Sequence, residues 1–185
     1  MKKTFGIIGA GNIAKAIAGH LVEAGYSVTL SSRKDPSTIS EAVQADIVIL
    51  AMPWSQLATI TTLTNWKDKI VIDATNHFIT YAPDFQLADL GGKASSEVVT
   101  EYVPGARLVK AFNTLYFKLL EISPAEAIGR RVLFLSGDYA DANKEVSAII
   151  ASLGFSPIDL GPLAIGGKLQ QAKGPLASLN LIRKD

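Results

Sequence analysis

Apolar residues in this chain fall into two alternating patterns. Short runs rich in valine and isoleucine occupy residues 5–8, 28–30, 47–51, 70–72, 108–111 and 132–135. Near-continuous apolarity of this length predicts strands buried on both faces of a parallel sheet. Between them, residues 13–24, 38–44, 56–63, 95–102 and 140–152 carry helical spacing. In the first of these, Ile13, Ile17, Leu21 and Ala24 form one stripe, with Lys15 and Glu23 off it. Gly25 and Gly154 predict helix stops, and Ser37 and Ser40, with Glu41 behind them, offer caps for the second helix. Strands alternating with helices predict a doubly wound α/β fold, a mostly parallel sheet with helices on both faces. No repeat, low-complexity tract or Pro/Ser linker divides the chain, so residues 1–185 read as one domain. Residues 76–92 are the longest stretch without clear periodicity, and loops of that length tend to carry function.

Composition narrows the chemistry. With 48% hydrophobic and 19% charged residues, the chain has the make-up of an ordinary globular protein. Its 18 Lys and Arg against 17 Asp and Glu leave a net charge of +1, which points to neither nucleic acid nor an anionic membrane. No cysteine is present, which excludes disulfides, thiolate metal sites and cysteine nucleophiles and fits a cytoplasmic location. Two histidines make a poor basis for a metal site, and none is expected. The apolar run behind Met1-Lys2-Lys3 is broken by Gly9, Gly11 and Asn12, so no signal peptide is expected. Residues 47–66 lack charge, but Pro53, Gln56 and several hydroxyl residues argue against a membrane span.

The sharpest motif is Gly9-Ala10-Gly11-Asn12-Ile13-Ala14, a G-x-G-x-x-A pattern between the first strand and the first helix. Gly9 permits a tight turn, Gly11 lets backbone approach a pyrophosphate, and Ala14 allows helix and strand to pack closely. The helix N-terminus supplies free N–H groups and a positive dipole end. An NAD site usually places an acidic residue about 20 residues further on, to hold the ribose 2′-hydroxyl. Here the second strand ends in Ser31-Ser32-Arg33-Lys34. Two hydroxyls and two cations suit a 2′-phosphate, so the expected cofactor is NADP(H) rather than NAD(H).

With these residues in view, the chain resembles the deazaflavin (coenzyme F420)-dependent NADP oxidoreductases and the related NADP-binding domains of six-transmembrane ferric reductases. The resemblance runs nearly end to end. It rests on the glycine loop, Ser32-Arg33, Met52-Pro53-Trp54, Lys110-Ala111-Phe112-Asn113-Thr114, Gly137-Asp138 and Asp159-Leu160-Gly161-Pro162-Leu163. It implies a Rossmann-type fold and hydride transfer between NADP(H) and a flavin- or deazaflavin-like co-substrate. Carried over by position, Gly9, Ala10, Gly11, Asn12 and Ile13 would hold the pyrophosphate. Ser32 and Arg33, with Lys34 close by, would hold the 2′-phosphate. Met52 and Pro53 would flank the ribose, with Ala51 also among the cofactor-binding residues, and Ala74-Thr75-Asn76 and Ala111-Phe112-Asn113 would line the nicotinamide side. After Thr75 the chain reads Asn76-His77-Phe78, closer to the ferric-reductase branch.

Trp54, Asn76, His77, Asn113 and Thr114 all follow strand ends and should converge on one crevice. Asn113 is read either as a partner for a carboxamide or as a loop cap, Trp54 as a stacking or a packing ring, and His77 as structural or catalytic. Hydride transfer needs proximity and orientation more than an acid or base, so no catalytic residue is assigned. His20 is placed on the polar flank of the first helix. In the tail, 166–185, Leu169, Ala172, Leu176, Leu179 and Ile182 suggest a helical stripe interrupted at Gly174-Pro175. That stripe would either pack on its own domain or form a homodimer contact that completes the pocket. Three functions follow: an NADP(H)-dependent oxidoreductase with a flavin-like partner, a flavin or ferric-chelate reductase, and a non-catalytic NADP(H) sensor or adaptor. Imine and hydroxy-acid dehydrogenases rank below these, because they add a large helical domain.

Overall fold

The computed structural model describes residues 2–31 and 36–184. The first half runs β1 (Thr4–Ile8), α1 (Asn12–Glu23), β2 (Ser27–Ser31), α2 (Pro36–Ala42), β3 (Ile47–Leu50), a 3₁₀ segment (Trp54–Ile60) and β4 (Ile70–Asp73). The second half runs α3 (Ser95–Thr100), β5 (Arg107–Ala111), α4 (Phe117–Leu120), β6 (Ala125–Glu126), β7 (Gly129–Gly137), α5 (Ala140–Ser152), β8 (Ser156–Asp159), a π-helical turn (Leu163–Gly167), α6 (Lys168–Gln170) and β9 (Ile182–Lys184).

The sheet order β2-β1-β3-β4-β5-β7 is parallel as far as β5. β7 then joins antiparallel to β5, and β8 pairs parallel to β7. Near its start, β7 also pairs antiparallel with the short strands β6 and β9. The reversal follows from the connection: the only helix between β5 and β7 is the single turn α4, short of the crossover that parallel neighbours need.

The continuous apolar runs split between two cores by the period of the strand. Ile7, Ile47, Ile49, Ile70, Ile72 and Val109 face α1 and α5. Ile8, Val48, Leu50, Val71 and Leu108 face the opposite layer of Val43, Leu57, Trp66 and Val99. Helices therefore cover both faces of the sheet, as the alternating pattern predicts.

Several elements depart from the sequence reading. Residues 56–63 form a 3₁₀ segment, Trp54–Ile60, rather than an α-helix. Thr59 Oγ1 donates 2.7 Å to the Gln56 carbonyl within it, and Trp66 Nε1 donates 3.1 Å to the Ile60 carbonyl at its end, both taking up main-chain acceptors. Ser37 and Ser40 lie inside α2 instead of capping it. His20 is buried, not on a polar flank: its Nε2 lies 2.6 Å from the Leu120 carbonyl and its ring meets Phe155 edge-on. In the tail, only Lys168–Gln170 is α-helical among the described residues, the last of which form β9. The Gly174-Pro175 interruption lets the chain fold back, with Leu176 N–H donating 2.9 Å to the Leu169 carbonyl. Among the described residues no helix is long and apolar enough to cross a membrane.

Candidate functional site

β2 lies on one side of β1 and β3 on the other, so the strand order reverses at β1. Open α/β sheets bind ligands at such a switch point, beyond the carboxyl ends of the strands. A cavity of about 810 Å³ opens there. It runs from the glycine loop, past the ends of β3 and β4, to the residues that follow β5.

The two loop glycines do different work. Gly9 has φ of 130°, and a Cβ there would sit 2.1 Å from the Ala51 carbonyl oxygen at the end of β3. Only glycine fits that crossing. Gly11 has an ordinary φ of −75° and nothing within 4 Å of a Cβ, so its lack of a side chain opens space rather than relieving a clash. Gly11 is also the N-cap of α1, with no side-chain cap and no acidic residue in the first turn. The first-turn N–H groups are thus left to an outside acceptor, which fits a phosphate group.

Of the residues singled out from the sequence, Gly9, Ala10, Gly11, Asn12, Ile13, Ala51, Met52, Pro53, Ala74, Thr75, Asn76 and Asn113 all line this cavity. Ser31 reaches it too, but its side chain is fully buried and its hydroxyl donates 3.0 Å to the Ile7 carbonyl. That hydroxyl ties β2 to β1 and is not free to donate to a phosphate, a correction to the sequence reading. Ser32, Arg33 and Lys34 lie outside the described residues. Ala111 and Phe112 are not on the cavity wall. Both are core residues, and Phe112 takes φ of 64°, turning the chain so that Asn113 emerges toward the cavity.

Two polar networks set the floor. In the parallel register of β4 and β5, Asp73 and Lys110 are neighbours, and both side chains are fully buried. Lys110 Nζ donates 3.1 Å to Asp73 Oδ2 and 3.1 Å to the Thr75 carbonyl. Asp73 Oδ1 accepts Thr75 N–H at 2.8 Å and Thr75 Oγ1 at 2.7 Å, while Ser96 Oγ donates to Oδ2. This holds the Ala74-Thr75-Asn76 turn. In the second network, Asn76 Nδ2 donates 3.0 Å to the Asn113 carbonyl and Asn113 Nδ2 donates 3.1 Å to Asn76 Oδ1. Asn113 acts here as a loop cap, with its amide already occupied.

Trp54 is a half-buried packing residue, meeting His77 edge-on with ring centroids 6.0 Å apart. His77 is buried behind the cavity wall, and its Nδ1 has no hydrogen-bond partner. Burial, reinforced by the charges of Lys110 and Lys173, holds its pKa below the ordinary value. The ring is therefore neutral near pH 7. Among the described residues no cluster of His, Asp or Glu could hold a metal ion.

An aromatic end of the cavity, Phe78, Tyr81, Tyr116 and Phe117, was not legible as a site. Phe78 lies 5.8 Å from Tyr81 and 5.7 Å from Phe85, and Tyr116 lies 4.6 Å from Phe117, centroid to centroid. Tyr81 and Tyr116 are more than half exposed. Phe78 and Tyr81 come from the aperiodic loop 76–92, which the bridge between Phe78 and Leu87 folds back on itself. Three aromatics in that loop were the available signal.

Residues 4–45 and 36–77 match the family described as NADP oxidoreductase, coenzyme F420-dependent. The metalloreductase STEAP3 of Rattus norvegicus is 27% identical over 86% of this chain and 34% of its own length. The chain thus spans about a third of the length of the curated metalloreductases it matches. The crystal structure of a hypothetical protein from Sinorhizobium meliloti is 41% identical, covering 99% of this chain and 97% of that one, with a TM-score of 0.92. A putative F420-dependent NADP-reductase from Arthrobacter sp. FB24 shares the fold, at 22% identity, 88% and 86% coverage and a TM-score of 0.73. The architecture is a Rossmann-type α/β fold, shared with that structure. Over residues 4–77 the chain is similar to the coenzyme F420-dependent NADP oxidoreductase family, and over most of its length it is similar to the metalloreductases.

Proposed function

We propose that this chain binds NADP(H) across the switch-point crevice and catalyses hydride transfer between it and a planar, flavin- or deazaflavin-like partner. The observation that carries this reading is one continuous cavity, joining an uncapped helix N-terminus to a wall of four aromatic side chains. NADPH would supply the hydride from its nicotinamide ring. Gly9, Gly11 and the first turn of α1 would hold the pyrophosphate. Ser32, Arg33 and Lys34 would hold the 2′-phosphate, and Ala51, Met52 and Pro53 the ribose. Ala74-Thr75-Asn76 and Asn113 would stand at the nicotinamide end, beside flat apolar faces suited to a second ring. The protein's part is to orient two rings and exclude water, and no acid or base is required of it.

Stopped-flow oxidation of NADPH against deazaflavin, FMN, FAD and ferric chelates tests the reading. Rapid oxidation by a deazaflavin or flavin is expected. Oxidation by ferric chelate with free flavin would favour the reductase function named for the STEAP relatives. Tight NADPH binding without oxidation by any acceptor would instead indicate a sensor. For cofactor choice, Arg33→Asp is expected to weaken NADPH binding far more than NADH binding, and equal losses would overturn the assignment.

A further inference from the structure

The C-terminal segment reaches the crevice floor without lining the cavity. Residues Leu163–Gly167 form a π-helical turn, a wide turn that frequently marks functional positions. It packs closely because residue 166 is glycine: a Cβ there would meet Leu160 Cβ at 2.6 Å and Ser136 Cβ at 2.7 Å. This approach delivers Gln170, fully buried, to the end of β5.

Gln170 Nε2 donates 3.1 Å to the Lys110 carbonyl and 3.1 Å to Asn113 Oδ1. In return, Asn113 Nδ2 donates 2.6 Å to the Gln170 carbonyl. The remaining N–H of Asn113 goes to Asn76 Oδ1 at 3.1 Å. Every hydrogen of the Asn113 amide is therefore assigned, and reversing it would set oxygen against oxygen at both partners. Asn76 is fixed in turn, with one N–H on the Asn113 carbonyl and its side chain on the cavity wall.

We propose that Gln170 is a positioning residue for the nicotinamide end of the crevice, acting through Asn113 on Asn76. The inference rests on the NADP(H) reading above. Gln170→Met keeps the length and bulk of the side chain but cannot donate a hydrogen bond. Two ligands separate a local effect from a general one: NADPH, and 2′,5′-ADP, which lacks the nicotinamide. In Gln170→Met the NADPH Kd is expected to rise about five- to tenfold while the 2′,5′-ADP Kd stays within about twofold. Loss of thermal stability with both affinities unchanged, or equal weakening of both ligands, overturns the proposal. Should the Met variant fail to fold, Gln170→Leu, which removes both donors with less bulk, is held to the same criterion. If the wild-type chain binds neither ligand, the NADP(H) reading fails instead. The network is then judged in the nucleotide-free protein. There the Asn76 and Asn113 side-chain amide resonances must shift in Gln170→Met, and their staying put overturns it.

Discussion

At the scale of single residues, the glycine loop separates two demands that the motif alone merges. Gly9 is required by the fold, since a side chain would strike the end of β3. Gly9→Ala is expected to destabilise the protein by at least about 2 kcal/mol, read as a lower urea midpoint, through backbone strain and clash together. Gly11 faces open space in a conformation any residue adopts. Gly11→Val is therefore expected to keep the melting temperature within a few degrees yet weaken NADPH at least about tenfold, because its side chain occupies the phosphate approach. Unchanged affinity would defeat the pyrophosphate assignment. His77 adds a dependence on pH. Its folded-state pKa lies below the ordinary 6.5, mainly through burial. The unfolded chain therefore takes up the proton first as pH falls through 6.5, and stability contributed by the neutral ring is lost below that point. Melting temperatures from pH 7.5 down to 5.5 should fall more steeply for the wild type than for His77→Phe. Parallel curves would remove His77 as the cause.

At the scale of elements, strands were the most legible part of the chain. The runs at 5–8, 47–51, 70–72 and 108–111 became β1, β3, β4 and β5, because burial on both faces leaves little room for polar positions. Elements stabilised by partners distant in sequence were not legible. β6 and β9 are two and three residues long and exist only through pairing with β7. The tail spacing suggested a helix, but its regularity is broken by contacts such as Ser178 N–H to the Thr114 carbonyl, 2.8 Å. Likewise the resemblance carries Ala111 and Phe112 to the nicotinamide side with Asn113, whereas both pack into the core and Phe112 takes a positive φ. The Asp73–Lys110 pair was hidden for another reason: Asp73 follows one apolar run, Lys110 interrupts another, and only the parallel register brings them together. Lys110→Met leaves the Asp73 carboxylate buried without its cation and is expected to cost about 3–5 kcal/mol in urea unfolding. Adding Asp73→Leu should recover part of that loss, since no uncompensated charge then remains. A double variant as unstable as the sum of the singles would mean that the two side chains act independently.

At the scale of the molecule, the cavity lies between parts that share one core. The cluster that supports β1 and α1 continues through Val109 and Leu133 to Val146 and Phe155 in the last third of the chain. Ligand bound at the glycine loop should therefore stabilise the second half as well as the first. NADPH at about a hundred times its Kd contributes roughly 2.7 kcal/mol to the folded state. For a chain of this size each kcal/mol moves the midpoint by about 2–4 °C, so a rise of roughly 5–10 °C is expected. NADH at the same concentration should do much less, because it lacks the phosphate that Ser32, Arg33 and Lys34 would hold. Calorimetry should show a single transition that moves as a whole. Two transitions, with only one shifted by NADPH, would mean that β7–β9 folds apart from the nucleotide crevice. The reach of Gln170 into that crevice would then have to be reconsidered as a contact between independent units.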